Sequence, residues 1–342
     1  MKAKFWEALQ LLKKLSLNKA FNATKVVSSY YLSKLVRKPY QWGLPISISI
    51  EPTTSCNLRC PECPSGKREF SRATGMLSLP LFKNTIDELK SHLLYLTFYF
   101  QGEPYLNPQF LEMVQYASQR GIYTSTSTNA HYLDDENAKQ TVLSGLDRLI
   151  ISIDGTTQET YAAYRIGGKL EKVLQGARTI VKWKKQLNSV TPHLIFQFLV
   201  VKPNEHQTNE VKKMAKEIGI DEVKFKTAQV YEFENGNELI PENPKYSRYR
   251  KTDSGKYEIK NLLLNHCWKL WHSSVITWDG RVVPCCFDKD ASHQFGNVKE
   301  AGFSTVWHNK KYDSFRHSLL KARSEIDICK NCTEGTKVWT SS

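Results

Sequence analysis

Residues 45–64, PISISIEPTTSCNLRCPECP, join a short predicted strand to three closely spaced cysteines. Apolar and polar residues alternate up to Glu51, which predicts a half-buried β-strand. The cysteines that follow, Cys56, Cys60 and Cys63, have the spacing C-x3-C-x2-C. Three thiolates in one loop can hold three irons of a 4Fe–4S cluster and leave the fourth iron open to a non-protein ligand. A structural zinc site is the alternative, but zinc normally takes four ligands and no fourth Cys or His lies nearby in the sequence.

Strand-like and helix-like segments alternate along the chain after this stretch. Segments rich in β-branched and aromatic residues recur at 95–100, 122–127, 148–153, 194–201 and 222–227. Helical patterns lie between them, near 80–93, 108–120, 134–145, 170–187 and 205–218. Together with the first strand, this alternation requires parallel crossovers. The sequence therefore predicts an α/β fold with six parallel strands.

Polar residues that could take part in catalysis or binding come directly after the predicted strands. Cys56 follows the first strand, and Glu103 follows the second. Asn129 follows the third strand, and Asp154 follows the fourth. In barrel-type α/β folds the active site is built at the C-terminal ends of the strands. We therefore expect these four residues at one active face.

The chain resembles the radical S-adenosylmethionine (radical SAM) superfamily on four motifs. They are the three cysteines, Gln101-Gly102-Glu103-Pro104 (similar to G-G-E-P), Thr128-Asn129-Ala130 (similar to T-N-G) and Ile151-Ser152-Ile153-Asp154-Gly155 (similar to S-x-D-G). The resemblance implies a partial (β/α)6 TIM-like barrel with a small C-terminal β-hairpin/helix iron–sulfur domain. It also implies a 4Fe–4S cluster that reductively cleaves S-adenosylmethionine (SAM) to a 5′-deoxyadenosyl radical, which abstracts a substrate hydrogen.

The resemblance also implies cofactor-binding roles for individual residues. By that likeness Glu103 holds the ammonium group of SAM, Gly102 lets the backbone approach the cofactor, and Arg165 grips the carboxylate. Ser152 lies at the ribose or the methionine part of SAM. The full set expected to bind the cofactor is Gln101, Gly102, Glu103, Asn129, Ser152, Asp154 and Arg165.

Two further positions concern the adenine ring. The likeness places the backbone near Phe225, on the sixth strand, beside the adenine. Glu62 directly precedes the third cysteine, where many members of the superfamily have an aromatic or bulky apolar residue near the adenine. This departure bears on how the adenine is contacted.

A second group of cysteines lies near the C-terminus of the sequence. Its spacings C-x12-G-x4-C and C-x2-C resemble the SPASM/twitch extension of radical SAM enzymes. Asp279-Gly280 predicts a hairpin turn between strands at 274–278 and 281–284. The resemblance implies one auxiliary 4Fe–4S cluster, with Cys286 as a spare thiol and a zinc site as the alternative. Its expected ligands are Cys267, Cys285, Cys329 and Cys332.

Composition and charge exclude several classes of protein. The formal net charge is +14, of which +8 falls in residues 1–40, and no nucleic-acid-binding motif accompanies it. No stretch is long and apolar enough for a membrane span, and no signal-peptide pattern is present. Eight cysteines in two groups favour metal ligation over disulfides in a reducing compartment. We therefore expect a cytoplasmic protein that binds no nucleic acid.

The charge and motif pattern divides the chain into four predicted parts. These are a basic helical N-terminal segment (1–44), a radical SAM core (45–230), a linker (231–261) and an auxiliary-cluster domain (262–342). Apolar residues recur at helical intervals in the first part, at Phe5, Trp6, Leu9, Leu12 and Leu15. Packing of this stripe on the barrel is the favoured interpretation. A peripheral contact of residues 1–40 with an anionic membrane is the alternative.

The expected activity follows from the resemblance. A fully protein-ligated auxiliary cluster has no open iron and suits electron transfer, which favours oxidation or epimerisation of a small-molecule, glycan or lipid-linked substrate by a radical SAM oxidoreductase. Maturation of a ribosomally made peptide is the alternative, although the residues before the first strand are too few for a full leader-binding module. The ordered motifs disfavour a non-enzymatic metal-binding protein. Flavodoxin or ferredoxin is the expected reductant, and no general base is identified.

Overall fold

The structure, a computed structural model, describes residues 2–336, with side chains from residue 6 onward. Its strands are β1 (Ser47–Ile50), β2 (Tyr95–Phe98), β3 (Tyr123–Thr128), β4 (Arg148–Ser152), β5 (His193–Val200), β6 (Glu222–Thr227), β7 (Tyr249–Lys251), β8 (Tyr257–Ile259), β9 (Ser273–Ile276), β10 (Arg281–Val283) and β11 (Gly296–Asn297). The side chains of Lys2, Lys4 and Phe5, and the end of the predicted auxiliary domain at 337–342, lie outside the described residues.

Helices alternate with the strands throughout the chain. They are α1 (Lys2–Lys13), α2 (Leu17–Val36), α3 (Pro64–Lys67), α4 (Leu79–Leu89), α5 (Phe110–Gln119), α6 (Asp135–Leu143), α7 (Gln158–Tyr164), α8 (Leu170–Gln186), α9 (Thr208–Ile218), α10 (Lys269–His272), α11 (Val298–Ala301), α12 (Phe303–Trp307) and α13 (Lys310–Ala322). The helices that connect core strands have apolar stripes at intervals of three and four residues, such as Phe82, Ile86 and Leu89 on α4, all fully buried. This spacing places one helical face on the sheet.

One sheet organises the described part of the chain, in the order β11-β10-β9-β1-β2-β3-β4-β5-β6. Strands β1 to β6 are parallel, with Leu96 opposite Thr124 and Ile150 opposite Ile195. The prediction of an α/β fold with six parallel strands is therefore confirmed. The sheet has edges at β6 and β11, so the (β/α)6 barrel is partial, and its C-terminal strand ends face one side.

The predicted C-terminal hairpin is present and continues the barrel sheet. β9 pairs antiparallel with β10 and parallel with β1, with Ser49 opposite Val275. At the turn, Gly280 has a φ of +93°, and its N–H donates to the Thr277 carbonyl at 2.9 Å. A glycine adopts this left-handed conformation without strain. The hairpin thus covers the free edge of β1, the strand that leads to the first cysteines.

The segment predicted as a linker, 231–261, contains ordered structure. Strands β7 and β8 form a two-stranded antiparallel sheet in it. Tyr249 is buried, and its hydroxyl accepts from the Val230 N–H at 2.8 Å and donates to the Asn331 side-chain oxygen at 3.0 Å. These bonds tie the segment to the end of the core and to the last cysteine pair, although its polar composition resembles that of a linker.

Helix α1 and the start of α2 lie at the N-terminal ends of the core strands. The Trp6 ring stacks on His193 at the start of β5, with 4.8 Å between ring centroids. The Lys14 ammonium lies 3.5 Å from Asp147, and the Lys19 ammonium donates to the Gly121 carbonyl at 2.6 Å. These contacts attach the N-terminal segment to the barrel. Of the predicted apolar stripe, however, only Trp6 is shown to pack there, and Leu9, Leu12 and Leu15 are exposed, so the predicted packing of the whole stripe is wrong. No helix within residues 2–336 is both long and apolar enough to cross a bilayer.

A buried ion pair fastens the cysteine-bearing end of β1 to the C-terminal hairpin. The Arg72 guanidinium donates to both carboxylate oxygens of Glu51, at 2.9 and 2.6 Å, and its Nε donates to the Lys289 carbonyl at 3.2 Å. The Trp278 N–H also donates to Glu51, at 3.2 Å. Both members of the pair are inaccessible to water. The pair therefore links β1, the segment after α3, and two parts of the C-terminal region.

We expect Arg72→Met to lower the free energy of unfolding by about 3–5 kcal/mol, because it leaves the buried Glu51 carboxylate uncompensated. Lys83→Met is the matched control. Lys83 pairs with Glu112 at 3.0 Å on the exposed surface, where removal of a cation costs about 1 kcal/mol or less. Urea unfolding followed by circular dichroism measures both changes. Equal losses in the two variants would contradict the structural role of the buried pair.

Candidate active site

A cavity of about 280 Å³ opens at the C-terminal ends of the core strands. It collects nine of the residues predicted from the sequence: Cys56, Cys60, Cys63, Gln101, Gly102, Glu103, Asn129, Ser152 and Arg165. Asp154 and Phe225 are not among its lining residues. Parallel strands bring their C-terminal ends to one edge, and so residues separated by more than 100 positions in the chain share this site.

Two cysteines of the first group accept hydrogen bonds, whereas the Cys63 thiol donates to the Gln101 side-chain oxygen at 3.8 Å. The Leu58 N–H donates to the Cys56 sulfur at 3.4 Å, the Asn129 amide donates to the same sulfur at 3.9 Å, and Arg165 donates to the Cys60 sulfur at 3.8 Å. Burial raises the pKa of the Cys56 thiol to about 11 and also raises that of Cys60. Metal binding deprotonates such thiols, and donors around the sulfurs stabilise the resulting thiolates.

Gly102 lets the loop after β2 lie directly on the cysteine loop. Its φ is +74°, and a Cβ atom there would approach the Thr53 carbonyl oxygen to 2.2 Å. The neighbouring Glu103 N–H donates to the Ser55 carbonyl at 2.8 Å. The close approach that requires glycine is thus to the backbone of residues 53–55, and it differs from the approach to a cofactor expected from the sequence. Gln101 lies beside it, with its side-chain oxygen 3.3 Å from the Ser65 hydroxyl.

Glu103 is a buried carboxylate at the floor of the cavity. It accepts from the Thr128 hydroxyl at 2.7 Å and from the Asn129 N–H at 2.8 Å. Burial raises the pKa of Glu103 to about 7, while these hydrogen bonds and the more distant Arg165 oppose the rise. A cationic ligand beside Glu103 would restore the charged form. The site therefore fits the ammonium group of SAM.

Arg165 ends α7 and is held by Asp154. Its Nε donates to the Asp154 carboxylate at 2.5 Å, and the other Asp154 oxygen accepts from the Leu199 N–H at 2.7 Å. Asp154 is fully buried behind the arginine. It therefore positions Arg165 beside Cys60 in the wall of the cavity, where the guanidinium has further N–H groups. A carboxylate bound next to the cluster would meet them.

The remaining predicted residues have other contacts than expected, and several residues that line the cavity were not predicted. The Ser152 hydroxyl is 3.5 Å from that of Ser127, which also lines the cavity. The Phe225 ring packs outside the cavity against Phe198, with centroids 6.0 Å apart. Glu62 accepts from the Tyr231 N–H at 3.0 Å and so fastens the cysteine loop to the segment after β6. The missed lining residues include Tyr99, Tyr164, Gln197, Leu199 and Lys289. Gln197 and Leu199 lay within a predicted strand, whereas Lys289 had no recognisable sequence signal.

Three cysteines of the second group, Cys267, Cys329 and Cys332, lie near a buried arginine, Arg323. Its guanidinium donates to the Cys332 sulfur at 3.4 Å, to the His266 carbonyl at 3.0 Å and to the Glu334 carbonyl at 2.7 Å. Burial lowers the pKa of Arg323, but the neighbouring cysteines, of which Cys267 has the largest effect, raise it, and the net shift is upward. Its Nε has no hydrogen-bond partner among the described residues. A fixed buried cation of this kind suits an anionic thiolate-ligated cluster.

The structure distinguishes the two adjacent cysteines that follow the hairpin. Burial raises the pKa of Cys285, and its neighbours Cys286, Cys332 and Cys267 raise it further. Cys286 instead packs against an apolar cluster that contains Phe100. This placement favours Cys285 as the fourth ligand. Within the described part of the chain, no group of three or more His, Cys, Asp or Glu side chains is arranged to hold a single metal ion.

Comparisons with known proteins agree with this geometry. The radical SAM superfamily model matches residues 50–196, and the SPASM iron–sulfur cluster-binding domain matches residues 267–333. A tungsten-containing aldehyde ferredoxin oxidoreductase cofactor-modifying protein from Pyrococcus furiosus is 25% identical over 310 residues, which cover 78% of this chain and 82% of the relative. A PqqA peptide cyclase from Gluconobacter oxydans is 22% identical over 314 residues, 86% of this chain and 84% of the relative.

A solved structure shares the fold. The structure of anSMEcpe with bound AdoMet superposes with a TM-score of 0.62 at 18% identity, covering 85% of this chain and 86% of that chain. Two domain matches in the predicted order, the relatives and this fold likeness converge on one family. The chain belongs to the radical SAM superfamily and is an enzyme with a C-terminal SPASM domain, and its cofactors are S-adenosylmethionine and two iron–sulfur clusters.

Proposed function

We propose that this enzyme removes a hydrogen atom from a C–H bond of a small-molecule, glycan or lipid-linked substrate and oxidises that carbon, with epimerisation as the related outcome. The four cysteines of the second group carry the proposal. Cys267, Cys329 and Cys332 lie near Arg323, and Cys285 lies near Cys267 and Cys332. Four protein ligands leave no open position for substrate and suit electron transfer. When bound, SAM and the two clusters supply a 5′-deoxyadenosyl radical and an electron acceptor. Lys289 lies in the loop after Cys285 and lines the SAM-binding cavity. This contact supports the proposal that the two cluster sites act together.

The proposed oxidation of an alcohol balances as a loss of two electrons and two protons. The radical that bound SAM would supply takes the hydrogen atom from the carbon, and the C–H bond breaks. The hydroxyl proton leaves to water beside Tyr99, an exposed residue that lines the cavity. A cluster held by the auxiliary cysteines would accept the remaining electron as the carbon–oxygen double bond forms. Epimerisation instead requires a hydrogen atom from a donor on the opposite face, and the substrate mass does not change.

Residues of this chain have separate proposed roles in holding the cofactor. Glu103 accepts from the ammonium group of SAM, and Arg165 donates to its carboxylate. Asp154 orients Arg165, and the Gln101-Gly102 backbone fixes the cysteine loop against β2. Flavodoxin or ferredoxin is the proposed reductant for the first cluster. These assignments rest on the contacts around the cavity and on motif likeness.

Glu103→Gln is expected to weaken SAM binding by about 1.5–3 kcal/mol, roughly tenfold to a hundredfold, with iron content intact. As the pH decreases below about 7, the wild-type affinity for SAM should decrease by up to tenfold per pH unit. The buried Glu103 carboxylate takes up a proton in this range, and that proton must leave when the ammonium group binds. The glutamine variant should lose this pH dependence. Anaerobic calorimetry of the iron-reconstituted enzyme between pH 5.5 and 8 measures both effects.

Arg165→Ala is the companion variant for this measurement. It should weaken SAM binding by a similar factor without removing the pH dependence below pH 7, because Glu103 is unchanged. A glutamine variant with wild-type affinity, or one that keeps the full pH dependence, would show that Glu103 does not contact the ammonium group.

Peptide maturation is the second candidate function, favoured by the similarity to a PqqA peptide cyclase over 86% of this chain. In this case the C–H bond lies in a ribosomally made peptide, and the product carries a new bond, an inverted residue or an oxidised residue. The same cavity and clusters would be used. The two candidates therefore differ in the size class of the substrate.

An extract from cells grown in deuterated medium distinguishes the two candidates. The reconstituted enzyme is incubated with SAM, dithionite and either the fraction below about 1 kDa or the peptide fraction, and deuterium in 5′-deoxyadenosine is read by mass spectrometry. The proposed oxidation is supported if deuterium is transferred from the small-molecule fraction and the product has lost two protons and two electrons relative to its substrate. Transfer only from the peptide fraction supports maturation. Transfer from neither fraction would overturn both.

A further inference from the structure

The helix α2 buries four polar residues and exposes several large apolar ones. Lys19, Asn22, Ser29 and Ser33 are buried beside Val26 and Tyr30. Three of the four polar residues bond to groups outside the helix: Lys19 to the Gly121 carbonyl, Asn22 to the Leu44 carbonyl at 2.8 Å, and Ser33 to Tyr40. These bonds help to fix the rotation of the helix. A helix of a water-soluble protein normally has the opposite arrangement. The outward face of α2 is therefore suited to an apolar partner.

The exposed face of α2 carries large apolar side chains near both of its ends, with Thr24, Lys25 and Ser28 exposed between them. Leu17 is 89% exposed, Phe21 65% and Leu35 80%. Among the large apolar side chains that are exposed in the described residues, ten of nineteen lie between residues 9 and 42. This stretch is about a tenth of the chain, so the concentration is far above an even distribution. Single exposed leucines need no explanation, but such a local concentration of exposed apolar side chains marks an interaction site.

The same surface is strongly cationic. Residues 8–50 contain seven basic residues and no Asp or Glu. Lys13, Lys25, Lys34, Arg37 and Lys38 are exposed, and none of them takes part in an ion pair within residues 2–336. A second copy of this chain would bring these cations face to face in a symmetric dimer. An anionic surface with an apolar interior complements both properties.

We propose that α2 and the adjoining end of α1 dock on an anionic phospholipid membrane. Leu17, Phe21 and Leu35 enter the boundary between headgroups and acyl chains, and Lys25, Lys34 and Lys38 contact the anionic headgroups. The start of this segment lies at the N-terminal ends of the strands, through Lys14 at Asp147 and Lys19 at Gly121, whereas the cavity lies at the C-terminal ends. Docking therefore leaves the active site open to water and does not depend on the proposed reaction.

Co-sedimentation of the full-length reconstituted enzyme with vesicles tests the proposal. We expect binding to vesicles of phosphatidylcholine and phosphatidylglycerol in a 3:1 ratio at least tenfold tighter than to phosphatidylcholine alone, and much weaker at 500 mM than at 50 mM salt. Lys25→Glu, Lys34→Glu and Lys38→Glu together should weaken binding at least about a hundredfold, since each cation near the surface contributes about fivefold. The triple variant Leu17→Ser, Phe21→Ser and Leu35→Ser should weaken it at least tenfold.

Matched variants elsewhere on the surface serve as controls. Lys172→Glu, Lys213→Glu and Lys216→Glu change the net charge equally, and Leu262→Ser with Leu264→Ser removes exposed apolar side chains. The controls should bind like the wild type, and all variants should keep SAM cleavage without substrate. No binding of the wild type at 50 mM salt, or equal losses in patch and control variants, would overturn the proposal. A dimer in analytical ultracentrifugation that the leucine and phenylalanine substitutions dissolve, without vesicle binding, would assign the surface to a second copy instead.

Discussion

Alanine at Cys56, Cys60 and Cys63 together is expected to abolish SAM cleavage and to leave about four of about eight irons per chain. The three thiols line one cavity with Glu103 and Arg165, so removing them removes both the cluster and the anchor for the charged end of SAM. Burial is the largest cause that holds the pKa of Cys56 near 11, so without metal this thiol stays protonated at neutral pH. Anaerobic reconstitution with iron and sulfide, followed by iron determination and 5′-deoxyadenosine analysis, measures both quantities.

The wild-type protein is the reference for this result. If it saturates at about four irons, or binds one or two zinc ions, two 4Fe–4S clusters are not present. If the triple variant still produces 5′-deoxyadenosine under dithionite, the cluster that cleaves SAM is not held by these cysteines. Circular dichroism should show that the variant keeps its helices, because the three side chains contribute little to the large apolar core.

Alanine at Cys329 and Cys332 is expected to remove the auxiliary cluster while SAM cleavage without substrate continues. Both sulfurs neighbour Cys267 and Arg323, so their loss leaves two of the four expected ligands. About four irons should remain, and deuterium transfer from substrate to 5′-deoxyadenosine should persist. Formation of the oxidised product should fall by at least about a hundredfold, because the unpaired electron has no acceptor.

Cys286→Ala is the matched control for the auxiliary site. Cys286 packs against the apolar cluster of Phe100 and Val275, so its removal should leave about eight irons and unchanged product formation. If Cys286→Ala loses four irons and Cys285→Ala loses none, Cys286 is the cluster ligand and Cys285 is the spare thiol. Full product formation in the Cys329→Ala and Cys332→Ala double variant would show that the auxiliary cluster does not accept the electron.

The sequence alone was sufficient for the features that depend on short spacings. The first cysteines span only eight residues, so their loop could be identified as a ligand set before any fold was known. Alternation marked the first core strand, and runs of β-branched and aromatic residues marked the other five. The polar residues after the first four strands predicted a shared face. Parallel pairing then follows from the helices between the strands, because each crossover returns the chain to the same edge.

The tertiary structure decided the contacts between residues that are distant in the chain. Arg323 meets Cys267 from 56 positions away, and β9 pairs with β1 across more than 220 residues. The rotation of α2 follows from partners such as Gly121, which no local pattern identifies. Periodicity reports which side of a helix is apolar, but the side that is buried depends on which groups satisfy its polar residues. For α2 these partners come from the barrel and the segment before β1. Hydrogen bonding to them, together with the burial of Val26 and Tyr30, selects the inward face although Leu17, Phe21 and Leu35 stay exposed.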